Sequence, residues 1–221
     1  MNWLAHVVLS EPSARFRVGN ILPDILGLQA LAPLHDEFQR GIACHRAIDV
    51  FTDEHPVFQR SRTRFFDGYR RFAAILVDVY YDHLLARYWS DHLDESMPEF
   101  VTGFYEDLTA VRADVPAQVH PLLDHLQRED WLGANATLAG PRGAIERVER
   151  RLRWRVDLGG AAAIFEREQA ALAADFREFF PELAAHVRGL GFRVPVMGAT
   201  SLARQGQERV PSAKVSPLHL A

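Results

Sequence analysis

One cysteine, Cys44, is the only thiol in the chain. An intrachain disulfide is therefore excluded, no thiolate cluster is there to hold structural zinc, and a reducing compartment fits best. Long apolar runs are also missing: none reaches the roughly 18 residues that a membrane-spanning helix needs. The apolar start MNWLAHVVLS lacks a cationic leader and is interrupted by His6, so no secretory signal is expected. Positive charge is not in excess, with 25 Lys and Arg against 29 Asp and Glu and a formal charge of −4. Such a balance offers no field for nucleic acid or an anionic bilayer. Nor is there a phosphate-cradling glycine loop, a dinucleotide fingerprint or a GxSxG elbow. What remains is an ordinary globular composition, 48% apolar and 24% charged over 221 residues, for which a cytoplasmic location is expected. A chain of this length buries a sizeable core without staples.

Hairpin signals are scarce and helical periodicity recurs. A short helix is expected over 3–9 behind Asn2. Ser13 can cap a segment toward Asn20, which Pro23 ends or kinks just before Asp24. Residues 34–54 follow Pro33 with helical periodicity and stop ahead of Pro56. An Arg-rich amphipathic helix over 59–69 is weakened by Gly68, and a buried helix is predicted over roughly 70–92. Ser96 stands three residues before Glu99, a capping-box spacing, with Pro98 in the first turn. Further helices are predicted near 98–112, 117–128 and 142–154, and a last one over 161–189, kinked at Pro181 and ended by Gly189 and Gly191. The expectation is an all-α single domain over 1–191 with a loosely ordered tail over 192–221.

One predicted helix breaks the apolar rule. VDVYYDHLLARYW, residues 77–89, reads as core yet holds Asp78, Asp82 and His83. Residues four apart share a helix face, so Asp78 and Asp82 project together and His83 lies close to Asp82. Two buried carboxylates in one turn repel each other and are costly unless a cation neutralises them. Arg87 can serve in part, and a divalent metal can serve fully. A second cluster favours metal: GIACHRAIDVFTDEH sets His45 and Asp49 four apart, with Asp53 a turn later, among Ile42, Ala43, Ile48, Val50 and Phe51. Asp24 sits between apolar residues in GNILPDIL, and His6 lies in the apolar start. Imidazole and carboxylate together suit Mn, Fe, Zn or Ni. The competing reading is a buried ion-pair network completed by Arg46 and Arg87. Cys44 neighbours His45, but adjacent helical residues diverge, and it reads as a small buried hydrophobe. The basic runs 59–71 and 146–155 read as solvated helix faces or as a dock for an acidic partner.

The segments MNWLAH, GNILPD, GIACHRAIDVFTD and VDVYYDHLLARYW, in that order and approximate spacing, resemble the acyl carrier protein phosphodiesterases. FREFFPEL is similar to that family's last helix, and the likeness covers roughly residues 1–188. The resemblance implies an all-helical fold related to the HD metal-dependent phosphohydrolases. It also implies a divalent cation, manganese by preference, with Fe2+, Mg2+ or Zn2+ as substitutes. The implied reaction removes 4′-phosphopantetheine from a serine of holo-acyl carrier protein, leaving the apo-carrier of fatty acid biosynthesis. Carried over residue by residue, it points to His6, Asp24, His45, Asp82 and His83 as metal ligands. Asp78 and Asp49 are then the candidate proton acceptors, and Arg46 the candidate phosphate contact. One stretch departs from the family: after Asp24 the chain reads ILGLQALAP, with no Lys or Arg before Arg40. That departure keeps open a phosphohydrolase for a nucleotide or other small phosphodiester. A non-enzymatic helical binding protein is the reading from another class.

Overall fold

The computed structural model describes residues 1–151 and 157–195, and among these it is helical throughout, without a strand. Two short helices open the chain, α1 (Trp3–Val8) and α2 (Ala14–Gly19). Ser13 precedes α2 but does not cap it; its hydroxyl donates instead to Glu37 Oε1 at 3.1 Å. Pro23 then falls in a tight turn over Leu22–Asp24, where its missing N–H costs nothing. One helical turn, α3 (Leu28–Leu31), leads to the long α4 (Asp36–Glu54). The His35 ring accepts from the Glu37 amide at its start, and Asp36 and Glu37 complement the dipole there.

Pro56 both ends α4 and begins α5 (Pro56–Thr63), the position in a helix that tolerates proline. The expected 59–69 helix is thus shifted toward the N-terminus. The short α6 (Phe66–Tyr69) is broken at Gly68, whose φ of 81° is one that glycine adopts without strain. The predicted helix over 70–92 is also trimmed, to α7 (Ala73–Arg87). Beyond it the Trp89 indole donates to Glu95 O at 2.7 Å and draws the chain into a tight turn over Trp89–Asp91. The capping box of Ser96 and Glu99 starts α8 (Met97–Ala110) as expected. Next come α9 (His120–Arg128), α10 (Ala139–Arg151) and α11 (Ala161–Gly189), the last running through Pro181. The predicted end of α10, residues 152–154, lies outside the described residues, as does 196–221. Residues 192–195 lie on the body: the Arg193 amide donates to Glu11 at 3.1 Å, and Phe192 meets the Phe16 ring edge-on.

The central element is α7, which packs against α1, α5, α10 and α11. Leu76, Val77, Tyr80, Tyr81, Leu84 and Leu85 are all buried, so it is apolar on nearly every face. Tyr80 stacks on Phe165 of α11 with ring centroids 4.0 Å apart. Beside it, α2 is wedged between α4 and α8. The α2–α4 crossing is close enough that a Cβ on Gly19 would stand 2.5 Å from Phe38 O. One on Gly41 would collide with Phe16 O and stand 2.9 Å from Asn20 N. Backbone meets backbone there, and only glycine fits.

The arginines of α5 do not form an open basic face. Arg60 Nε and Arg64 Nη2 donate to the buried Asp175 of α11 at 2.8 and 3.0 Å, joined by Ser61 Oγ at 2.7 Å. Arg60 also reaches Glu178 at 2.5 Å, and Arg64 reaches Glu168 at 3.3 Å. Burial pushes the Asp175 carboxyl up, but Ser61 and the two guanidiniums outweigh it and hold it below the usual range. These pairings engage Arg60 and Arg64 within the molecule, although the Arg60 side chain remains 47% exposed. No described helix is long and apolar enough to cross a membrane.

Candidate metal centre and active site

The crossing of α2 and α4 determines where two imidazoles go. Asn20, just past α2, holds both of them. Its backbone carbonyl lies 2.7 Å from His45 Nδ1, and its Oδ1 lies 3.1 Å from His6 Nδ1. The Asn20 amide nitrogen donates to His6 O and Ser10 Oγ, at 2.8 and 2.9 Å, which fixes which way the amide faces. Both Asn20 oxygens are acceptors, so each Nδ1 donates to Asn20 and each Nε2 turns toward Asp49. The two rings stack with centroids 4.3 Å apart.

Asp49, one turn beyond His45 on α4, meets both Nε2 atoms. Its Oδ2 lies 3.0 Å from His45 and its Oδ1 3.3 Å from His6. Ligand atoms of His6, His45 and Asp49 all fall within 4.8 Å of one another. Asp24 completes the rim: Oδ1 is 3.7 Å from His45 Nε2, while Oδ2 accepts from the Trp3 indole at 2.7 Å. The Met1 amine closes the other side, 3.5 Å from Asp49 and 3.3 Å from Asp78.

Charge follows from this geometry. Burial pushes the Asp49 carboxyl up, but His45 and His6 together outweigh it and hold it far below the carboxylate range. Burial pulls His45 down, yet Asp49 and Asp24 raise it overall. His6, wholly enclosed, is lowered chiefly by burial despite Asp49. His6 Nε2 faces two oxygens, Asp49 Oδ1 at 3.3 Å and Met1 O at 3.1 Å. Two imidazole nitrogens and a carboxylate converge there, a mixed nitrogen and oxygen donor set of the kind that divalent metals take. The donor set therefore fits a metal.

Asp78 and Asp82 share a face of α7 but do different things. Asp78 lines a cavity beside the cluster, and loss of solvent pushes its carboxyl up to about 6 against the pull of the Met1 amine. Asp82, expected as a ligand, is fully enclosed and accepts from the Leu4 and Ala5 amides at 2.8 and 3.1 Å. It anchors the first turn of α1, where amide groups lack helical partners. His83, also expected as a ligand, is not among the residues whose ligand atoms converge within 4.8 Å; its Nδ1 lies 2.8 Å from Asn135 O and its ring is edge-on to Phe165. Arg46 is exposed on α4 and makes no ion pair with the cluster among the described residues. Sequence reasoning passed over Asn20 and Trp3, although both lie inside the motifs GNILPD and MNWLAH.

Burial of Asp82 carries a pH signature. Desolvation raises its carboxyl from 3.8 to about 7, against the two amides, so the folded state holds a proton that the unfolded chain releases. Its contribution is then fully favourable below the unfolded value and is lost as pH rises toward 7. Asp82→Asn removes that loss. In denaturant titrations with chelator present, the variant's stability deficit against the parent should shrink by about 2 kcal/mol between about pH 5 and about pH 8. A deficit that widens over the same interval would contradict the assignment.

Residues 1–183 match the family model described as acyl carrier protein phosphodiesterase. The chain belongs to that family. Named acyl carrier protein phosphodiesterases similar to it include one from Yersinia pestis, 29% identical over 184 residues, 83% of this chain and 95% of that protein. One from Escherichia coli O157:H7 is 31% identical over 187 residues, 84% of this chain and 96% of the relative. A third, from Pectobacterium atrosepticum, is 28% identical over 184 residues, 83% of this chain and 95% of its own. No solved structure matches the chain. The family match spans α1 to α11 and includes every residue of the cluster.

Proposed function

We propose that this protein hydrolyses the phosphodiester between 4′-phosphopantetheine and a serine of holo-acyl carrier protein, using a divalent metal with manganese preferred. Family membership supports the reaction class. The observation that carries the metal site is the convergence of His6, His45 and Asp49 within 4.8 Å of one another. Those three would hold the ion, with Asp24 on the rim. When bound, it supplies Lewis acidity to a phosphoryl oxygen and lowers the pKa of water.

The chain's own groups do the rest. Asn20 holds both imidazoles in one tautomer, so neither rotates away from the site. Trp3 aims Asp24. Asp78, with a carboxyl near 6, is poised to accept a proton from the attacking water at neutral pH. The water oxygen bonds to phosphorus, the bond from phosphorus to the serine oxygen breaks, and that oxygen leaves with a proton as the serine hydroxyl. Released 4′-phosphopantetheine carries the added oxygen.

Incubating the purified protein with holo-carrier and Mn2+ should remove the phosphopantetheine mass from the carrier. An unchanged carrier mass would overturn the proposal. Mn2+ at about 100 times its dissociation constant should also stabilise the fold by about 2.7 kcal/mol. A melting curve unmoved by Mn2+ would favour the scaffold reading, in which these acids and imidazoles merely support one another. A small diester as the true substrate is favoured by one observation, the internal use of Arg60 and Arg64. Turnover of nucleotide diesters without turnover of holo-carrier would establish it.

A further inference from the structure

A cavity of about 290 Å³ lies beside the metal-binding residues, between the N-terminal segment, α7, the 131–135 turn and α10. Its lining has two characters. Asp24 and Asp78 supply carboxylates next to the cluster, with Arg147 as a cation on the same wall, whereas Ile75, Val79, Trp131, Leu132 and Val148 supply apolar surface. Trp3 joins the two, its indole N–H on Asp24 and its ring stacked on Trp131 at 5.7 Å. Asn2 also lines the cavity, and its side-chain amide neither caps α1 nor bonds to any described residue. Ile75 stays 39% exposed although it belongs to an otherwise buried helix. Nothing in the hydrolytic chemistry above uses this apolar half.

On the function proposed above, we infer that this cavity receives the pantetheine chain of the substrate and thereby sets the phosphodiester against Asp24 and Asp78. The chemistry matches on each count. Pantetheine is an uncharged, flexible chain with a gem-dimethyl carbon and two amides. The apolar wall accepts its hydrocarbon, and the Asn2 amide offers a donor and an acceptor for an amide. The volume lies near the lower end of ligand pockets, about 300 Å³ and upward, which suits a slender chain and not a folded protein surface. A nucleotide base fits less well. Trp131 already has Trp3 stacked on it, Arg147 at 3.9 Å from its ring centroid and His125 at 5.2 Å, leaving little ring surface for a flat base. The cavity also explains a division of labour. The metal-binding residues see only the phosphate, and the chain beyond it supplies the binding energy that positions it.

The test fills the cavity from its exposed edge. Ile75→Trp adds bulk where a large side chain already meets solvent, and Val148→Trp does the same from α10 should the first variant melt early. For each, holo-carrier and bis(p-nitrophenyl) phosphate are assayed as substrates, and 4′-phosphopantetheine, pantetheine and inorganic phosphate are titrated by calorimetry. Pantetheine binding should weaken about tenfold or more, and kcat/KM should fall about tenfold further on holo-carrier than on the small diester. Inorganic phosphate should be bound equally by parent and variant. If the parent turns over holo-carrier and a folded filled variant keeps its KM within about twofold, the inference fails and the proposed function stands. If holo-carrier is not a substrate yet pantetheine binds in an Ile75-sensitive way, the function fails and the cavity assignment stands. Absence of both overturns both.

Discussion

Asp49→Asn should lower kcat on holo-carrier by about 10²- to 10⁴-fold while leaving the helical fold intact. The carboxylate faces the Nε2 atoms of His45 and His6 at 3.0 and 3.3 Å and the Met1 amine at 3.5 Å. Asparagine keeps the shape but supplies no negative charge, and its NH2 group can offer only hydrogens to ring nitrogens. A divalent ion would lose its anionic ligand in the part of the cluster shared by His6 and His45. Structure should survive because the Asp49 side chain is 40% exposed and closes no core cavity. Circular dichroism and melting should therefore resemble the parent, with Mn2+ no longer raising the melting temperature. A variant that retains more than about a tenth of parental turnover would place the chemistry elsewhere, since losing even a group that only orients a metal ligand costs about 10- to 100-fold.

Gly41→Val should cost about 3 kcal/mol and lower the melting temperature by roughly 10 °C. Helix propensity alone predicts a different result for the milder Gly41→Ala, a gain of about 1 kcal/mol in mid-helix. The α2–α4 crossing reverses that sign. The first added carbon collides with Phe16 O and lies 2.9 Å from Asn20 N, and backbone cannot rotate aside as a side chain can. Pushing α2 off α4 also pulls Asn20 from His45, so activity should fall together with stability. Thermal melts of the parent, Gly41→Ala and Gly41→Val settle the order. A rise in melting temperature for alanine would show that the helices pack less tightly than described.

Much of this was legible in the residues. Prolines 33 and 56 bracket α4, the Ser96–Glu99 spacing starts α8, and the His45/Asp49 pair at four-residue spacing does project together. Periodicity also identified α7 as buried, though not its true ends; past the C-terminal one the Trp89 indole finds Glu95 O. What spacing left unread has one cause. Spacing tells which side chains leave a helix together, but not what waits for them. Asp82 leaves α7 beside Asp78 and meets the amides of α1; His83 meets a carbonyl some fifty positions away in the chain. Asn20 went unnoticed for the converse reason, since half of its work is done by a backbone carbonyl that any residue would carry. Its side-chain half, the bond to His6, was the readable part.

The latch of Arg60 and Arg64 on Asp175 has a bearing on speed. Arg60 and Arg64 are each paired with carboxylates of a neighbouring helix, and the chain as a whole is negative. On the proposed function, an acidic carrier would then arrive with little long-range attraction, nearer the roughly 10⁵–10⁶ M⁻¹s⁻¹ typical of unsteered encounters. Selection would fall to what happens after contact: a collision would be productive only when the visitor carries something that can be threaded inside.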